Sequence, residues 1–244
     1  MECTIGWIKI KDGFILFKNR DRKKEEPKEN FLYKNKEVIT FEDRKYVGCW
    51  IGINKYGIGV VSSAGPSKDV LDGYISSEEG FFNVNREVLL KSKNLKEVTQ
   101  LYIKIFKELK LGESFNIIIC DKKQANILEL ISNQVNIQTN HRDAFRTNNF
   151  ETMREYNISN QRTKRSGVRL KKLLALIKDI KDPKDLIPIL SYHSENNNEN
   201  ICRHDSSTTS GSAIIKYQDN EINTFYLLNI SPCEGKYKEE TFSF

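Results

Sequence analysis

The dipeptide Cys3-Thr4 puts a thiol two residues from the start of this 244-residue chain. If Met1-Glu2 are removed, one residue carries both a sulfur nucleophile and a base, its own α-amine, with a reference pKa of about 7.7–8.0. A thiol is a weak nucleophile until a neighbouring base takes its proton, and this arrangement supplies that base without a histidine. The chain has only three histidines, His141, His193 and His204, none in a protease-like context. Such a residue can do acyl transfer: attack on a carbonyl, a thioester intermediate, and release to water or to an amine. Met1-Glu2 is then a two-residue propeptide. It is expected to leave by an N→S acyl shift at the Glu2–Cys3 bond, with an aminopeptidase as the other route.

The companions of Cys3 follow from the strand pattern around it. An alternating apolar run from Ile5 to Phe17, broken at Asp12-Gly13, reads as a hairpin of strands 3–10 and 13–19. Its returning end, Lys18-Asn19-Arg20-Asp21, should come back beside Cys3. An acid there, Asp21, can orient a terminal ammonium. Read singly, Asp21 is a turn residue balancing Arg20 and Arg22, and Lys18 and Arg20 are solvated hairpin charges. Asn148 in Asn148-Asn149 is, by itself, ordinary turn chemistry.

The elements that must hold these residues alternate between two periods. After the mixed-charge segment 20–30, read as loop, strands are predicted at 36–42 and 47–53. The tight turn Gly52–Gly57 then leads into 58–63. Helical spacing takes over at 83–92 and 95–110, with Val98, Leu101, Tyr102, Ile105 and Phe106 on one face. A hairpin follows at 115–120 and 126–132, then a helix at 165–180 with Leu170, Leu173, Leu174 and Ile177 on one face. A short helix at 183–192 opens on Asp182-Pro183. Closing strands are predicted at 207–217, 221–230 and 238–244. The pattern predicts an α+β domain of two packed antiparallel sheets with helices outside, one domain over 1–244.

Composition excludes more than it selects. The 39 basic and 33 acidic residues leave a net charge of +6. No apolar run approaches the ~18 residues of a membrane span, and a signal-peptide pattern is missing, so the reading is a cytoplasmic protein without membrane partners. The basic stretch Arg162–Lys172 reads as the solvated face of a helix, with an anion cradle as the lesser alternative. Nucleic-acid binding ranks low without interleaved aromatics. Five cysteines without a CxxC pair disfavour a zinc site and give no disulfide framework. Cys49, Cys120, Cys202 and Cys233 read as small hydrophobes, and no metal or cofactor is expected.

Taken together and in order, several segments resemble one known group. They are Cys3-Thr4, Lys18–Asp21, Gly52–Gly57, Asn116–Asp121 with Leu128-Glu129-Leu130, and Arg146-Thr147-Asn148-Asn149-Phe150 with Ser166 and Arg169. Ile201-Cys202-Arg203-His204, Thr208–Ser212 and Asn229–Glu234 complete the set. They are similar to the N-terminal nucleophile (Ntn) hydrolases of the choloylglycine hydrolase, penicillin V acylase and acyl-CoA:6-aminopenicillanic acid acyltransferase type. The acyltransferase-like branch fits best, through the Thr-Asn-Asn-Phe and Ser-Pro-Cys-Glu segments. The resemblance implies a four-layer αββα sandwich. It implies a cysteine amidase or acyltransferase acting on a linear, non-peptide amide, with a small N-acyl amide or an acyl-CoA as substrate. Cys3 would be the nucleophile and Asp21 the acid near it. Asn148 would help hold the oxyanion and the terminal amine, and Arg203 would orient the Asp–Cys pair. Bile-salt members carry arginine at the place of Lys18, so either Lys18 or Arg20 is the site cation. Ser62–Ala64 is expected to give a second oxyanion donor, and segment 64–80 to line the pocket. The resemblance leaves a homo-oligomer open. The alternative function is a non-catalytic Ntn-like protein used for binding or trafficking.

Overall fold

The computed structural model describes residues 3–44, 48–66, 81–109, 114–131, 134–157 and 159–244. Strands β1 (Cys3–Ile10) and β2 (Gly13–Lys23) form the predicted hairpin. Asp12 turns with φ 58°, and a Cβ on Gly13 would lie 2.0 Å from the Tyr217 carbonyl oxygen, so only glycine fits there. Strand β2 runs four residues past the predicted end. It lies between two other strands; β1 leaves it at Arg20, but the strand on its other side stays paired as far as Lys23, and its charged side chains from Lys18 to Arg22 are buried.

Eleven further strands complete two sheets. After β2 come β3 (Asn30–Lys34), β4 (Val38–Asp43), β5 (Gly48–Asn54) and β6 (Gly59–Ala64), then β7 (Ser114–Cys120), β8 (Ala125–Ile131) and β9 (Gln134–Asn140). These seven form one sheet in chain order. The other sheet has the order β10-β1-β2-β11-β12-β13, using β10 (Ala144–Arg146), β11 (Ser207–Gln218), β12 (Glu221–Leu228) and β13 (Lys238–Phe242). Every pairing is antiparallel. Strands β3, β9 and β10 were not predicted. The polar β9 and the half-buried β3 are edges of their sheet, and three-residue β10 is too short to show a period.

Alternation decides which side chains meet. Ile5, Trp7, Phe14 and Leu16 point between the sheets, against Phe41, Trp50, Ile51 and Ile118. The outer face of the seven-stranded sheet is covered by α1 (Phe81–Lys91) and α2 (Leu95–Leu109), through Val88, Val98, Tyr102 and Phe106. The outer face of the other sheet presents Ile15, Phe17 and Ile214 to α3 (Gln161–Leu176) and α4 (Leu186–Leu190). The result is the four-layer αββα order. Among the described residues no helix is long and apolar enough to cross a membrane.

Helix α3 starts four residues before its predicted bound, where Asn160 accepts the Thr163 N–H as a cap. Its buried stripe is Ser166, Arg169, Leu170 and Leu173, so Leu174 turns outward at 50% exposure and Ile177 falls past the end. Two polar residues belong to the inward stripe, which an apolar count misses. The turn after β5 is held by Asn54, whose side-chain oxygen accepts from the Tyr56 and Ile58 N–H groups. The Asn54 amide donates to the Leu89 and Ser92 carbonyls, fastening the turn to the end of α1.

Candidate active site

Cys3 opens β1 directly opposite Arg20 on β2, and Ile5 lies opposite Lys18. Directly paired residues share a face, so Cys3, Lys18 and Arg20 all point into the space between the sheets. Cys3 is 2% exposed and both cations are buried. Lys18 Nζ donates to the Ser62 carbonyl oxygen. Lys18 Nζ and the Arg20 guanidinium each lie 5.8 Å from the centre of a Trp50 ring.

Three buried cations, Lys18, Arg20 and Arg22, alternate onto this face. Burial pulls the Lys18 ammonium down to about 8, and the nearby Cys3 sulfur partly opposes that. Burial and the adjacent Arg22 bring Arg20 down to about 10, against the pull of Asp43. The Asp43 carboxylate takes Arg20 Nη2 at 2.9 Å and Arg22 Nη2 on the same oxygen. The two guanidinium groups hold that carboxyl below its usual range although burial alone would raise it.

Asn148 reaches Cys3 from the neighbouring edge. Strand β10 pairs with β1 through Ile5 and Arg146, and the chain leaving β10 brings the next residues past the start of β1. The Cys3 N–H donates to Asn148 Oδ1 at 3.0 Å, and Arg169 Nη2 donates to the same oxygen at 2.8 Å. Arg169 Nη2 also lies 3.5 Å from the Cys3 carbonyl oxygen. Asn148 is itself held, its Nδ2 donating to the Ala64 carbonyl at 2.8 Å and its N–H to Ser166 Oγ at 2.9 Å. Further along, the buried Glu129 carboxylate accepts the N–H groups of Glu151, Thr152 and Met153 at 2.7–3.1 Å, fixing the loop after Asn148.

Asp21 and Arg203 meet on the other side of the sheet. One residue after Arg20, Asp21 takes the helix-facing side, as does Asn19, whose amide donates to the Leu190 and Ile201 carbonyls. Thr209 Oγ1 donates to Asp21 Oδ1 at 2.8 Å, and that hydroxyl also accepts the Arg203 N–H at 2.9 Å. The Arg203 guanidinium grips Asp205 at 2.6 and 2.7 Å.

The six residues singled out by sequence therefore fall into two linked groups. Cys3, Lys18 and Arg20 gather at the inter-sheet face with Asn148 at its edge on the Cys3 nitrogen, while Asp21 and Arg203 are joined through Thr209 on the helix-facing side. Both the Ser62 and Ala64 carbonyls are bonded within the site, to Lys18 and Asn148. Segments 1–2 and 67–80, where a propeptide and most of a pocket loop were expected, lie outside the described residues.

Arg169 is the residue missed as part of the site. The basic stretch of α3 is not one solvated face. Arg169 is buried, Arg162 donates to the Gly65 carbonyl at 3.1 Å, and Lys172 pairs with Glu199 at 2.8 Å, while Lys164 and Lys171 face solvent. The available signal was helical spacing, since Arg169 sits three residues after Ser166 and beside Leu170 on the inward stripe. A cavity of about 570 Å³ lined by Ile10, Asp143, Ile177 and Gln218 sits at the opposite end of β1, about 20 Å from Cys3 at ~3.3 Å per strand residue.

The chemistry available is acyl transfer. The main-chain nitrogen of a cysteine is held by an amide oxygen, and its side chain shares a face with buried cations that can stabilise negative charge on a carbonyl oxygen.

Comparison with known proteins agrees with this architecture. The profile of the acyl-coenzyme A:6-aminopenicillanic acid acyl-transferase family matches residues 8–223. No curated protein matches the chain in sequence. Among solved structures, the Caenorhabditis elegans N-acylethanolamine-hydrolyzing acid amidase ortholog is similar with a TM-score of 0.58 at 13% identity, over 87% of this chain and 92% of its own. A mutant of the Clostridium perfringens conjugated bile acid hydrolase gives 0.53 at 14% identity, over 100% and 97%. The penicillin V acylase of Agrobacterium tumefaciens gives 0.51 at 12% identity, over 93% and 82%. At these identities the likeness is one of fold.

Proposed function

We propose that this chain, which belongs to the acyl-coenzyme A:6-aminopenicillanic acid acyl-transferase family of Ntn hydrolases, acts on a linear, non-peptide amide through a thioester on Cys3. Family and fold together support an Ntn-type amide hydrolase or acyltransferase. The thiol nucleophile and its maturation are our reading. The observation that carries them is the Cys3 nitrogen held on Asn148 Oδ1 with Lys18 and Arg20 on the face of the sulfur.

Loss of Met1-Glu2 turns the Cys3 N–H into a primary amine that keeps Asn148 Oδ1 as its acceptor. That amine takes the thiol proton as the sulfur bonds to the acyl carbon. The carbonyl electron pair moves to oxygen, where the Lys18 and Arg20 charges oppose it. The intermediate collapses, the C–N bond breaks, and the proton on the α-amine passes to the leaving amine. Water or an acceptor amine then attacks the thioester. Its proton goes to the α-amine and on to the departing sulfur, which closes the cycle. The substrate is a small N-acyl amide, or an acyl-CoA when the product is a new amide. In that case the bond broken in the first half is C–S and the CoA thiol takes the proton from the α-amine.

The test is acyl-enzyme trapping. The purified protein is incubated with N-acyl amino acids, penicillins and N-acylethanolamines, and the peptide beginning at Cys3 is examined by mass spectrometry. The expected result is an acyl adduct on Cys3 and no turnover by Cys3→Ala. A chain that retains Met1-Glu2 and takes no adduct would instead favour the non-catalytic binding alternative.

A further inference from the structure

At the helix-facing end of the six-stranded sheet, four side chains from three distant segments converge. His193 follows α4, Cys202 and His204 lie in the irregular segment before β11, and Cys233 lies in the turn after β12. Their donor atoms all lie within 4.8 Å of one another. We propose that His193, Cys202, His204 and Cys233 form a Cys2His2 site for a structural zinc ion.

The donor atoms are close enough for one ion to gather them. Zinc–sulfur bonds of about 2.3 Å and zinc–nitrogen bonds of about 2.0–2.1 Å put neighbouring ligand atoms roughly 3.3–3.8 Å apart. Here Cys202 Sγ is 3.5 Å from Cys233 Sγ and 3.7 Å from His204 Nε2, and His204 Nε2 is 3.0 Å from Cys233 Sγ. The His193 ring stacks on His204 with centroids 5.0 Å apart, and its donor atom lies within 4.8 Å of the other three. The far nitrogen of His204, Nδ1, lies 3.8 Å from Glu234 Oε1. That is beyond hydrogen-bond reach, but it leaves a carboxylate beside the nitrogen that a metal-bound imidazole turns away from the ion. A Cys202–Cys233 disulfide would account for two of the four groups and leave two imidazoles converging on nothing.

Four protein ligands close the coordination sphere, so the site is structural and offers no position for substrate. What it would hold is the segment carrying Arg203, which lies between two of the ligands. The Cys202 N–H already donates to the Tyr192 carbonyl at 3.2 Å, tying that segment to the end of α4. Ser231 Oγ donates to the Thr209 carbonyl at 2.9 Å, tying the Cys233 turn to the residue whose hydroxyl bonds Asp21. Zinc would thus clamp the far support of the Asp21–Thr209–Arg203 group. The metal site does not depend on any chemistry at Cys3.

The experiment is metal analysis of the full chain, purified under reducing conditions, by inductively coupled plasma mass spectrometry. About one zinc per chain is expected, with loss of it in Cys233→Ser and in His193→Ala. Both residues are exposed, so both variants should keep the wild-type circular dichroism. Cobalt titration of the chelator-treated protein should give the intense visible bands of a tetrahedral cobalt–thiolate centre in wild type and not in Cys233→Ser. A chain that gives no such bands overturns the proposal. Zinc retained by both variants does so too, as does a Cys202–Cys233 disulfide in protein kept reduced.

Discussion

The main-chain N–H of Cys3 donates to Asn148 Oδ1 at 3.0 Å, joining residues 145 positions apart in the chain. The same oxygen accepts from Arg169, so one amide is loaded from two sides and fixed by its own bonds to Ala64 and Ser166. An amide held this firmly can position the nitrogen of Cys3 without moving during a reaction.

Asn148→Ala removes that acceptor. The variant should fold and lose about 10²–10³-fold in kcat, the scale seen when one preorganised polar group of an acyl-transfer site is deleted. Steady-state kinetics with thermal melting as the fold control decides it. Unchanged kcat would remove Asn148 from the site.

Arg169 acts through Asn148, as a positioning residue. Arg169→Ala leaves Asn148 Oδ1 with one donor fewer in a buried setting and should cost about 1–3 kcal/mol of stability. The more specific expectation is a fall in kcat with KM little changed, and partial recovery in Arg169→Lys. A change in KM alone would point to substrate contact instead.

Lys18 should make the enzyme pH-dependent. Burial lowers its pKa from 10.5 to about 8, so the cation that faces Cys3 is lost as pH rises through about 8. Activity should fall on that basic limb. Lys18→Arg should move the limb upward, because a guanidinium keeps its charge. The stability effect has the opposite sign. Between about pH 8 and 10.5 the unfolded chain binds more protons at Lys18 than the folded chain, so this group makes stability rise with pH across that window. Melting curves of wild type and Lys18→Met over pH 7–10.5 isolate it: the methionine variant should lack that rise.

Glu129 gathers three successive N–H groups of the loop that follows Asn148. Glu129→Ala would take the acceptor from three donors, of which the Met153 N–H is buried, and should destabilise the chain by about 1–3 kcal/mol. Hydrogen exchange should rise first at Glu151–Met153. If those amides keep their protection, the loop is held by something else.

The first hairpin shows what could be read without coordinates. Asp12-Gly13 and the alternation on either side specify a two-stranded unit, and counting back from the turn places Arg20 opposite Cys3 and Lys18 opposite Ile5. Helices α1 and α2 were legible for the same reason, a strong period over enough residues. Strand β9 was not, because an edge strand exposed on both sides has no reason to alternate.

What the chain determined by itself was thus local: turns, periods, the type of each element, and a thiol next to an amine. Only tertiary structure decided which distant segments meet. Alternation assigns a face within one hairpin but says nothing of the register between β1 and β10, so it could not bring Asn148 onto the Cys3 nitrogen or Arg169 onto Asn148. It could not gather His193, Cys202, His204 and Cys233 either, because metal-ligand patterns are recognised by spacing and these four are spread over three segments. Long-range pairing is set by how whole sheets and helices bury their apolar faces together, a property of the packed chain and not of any stretch within it.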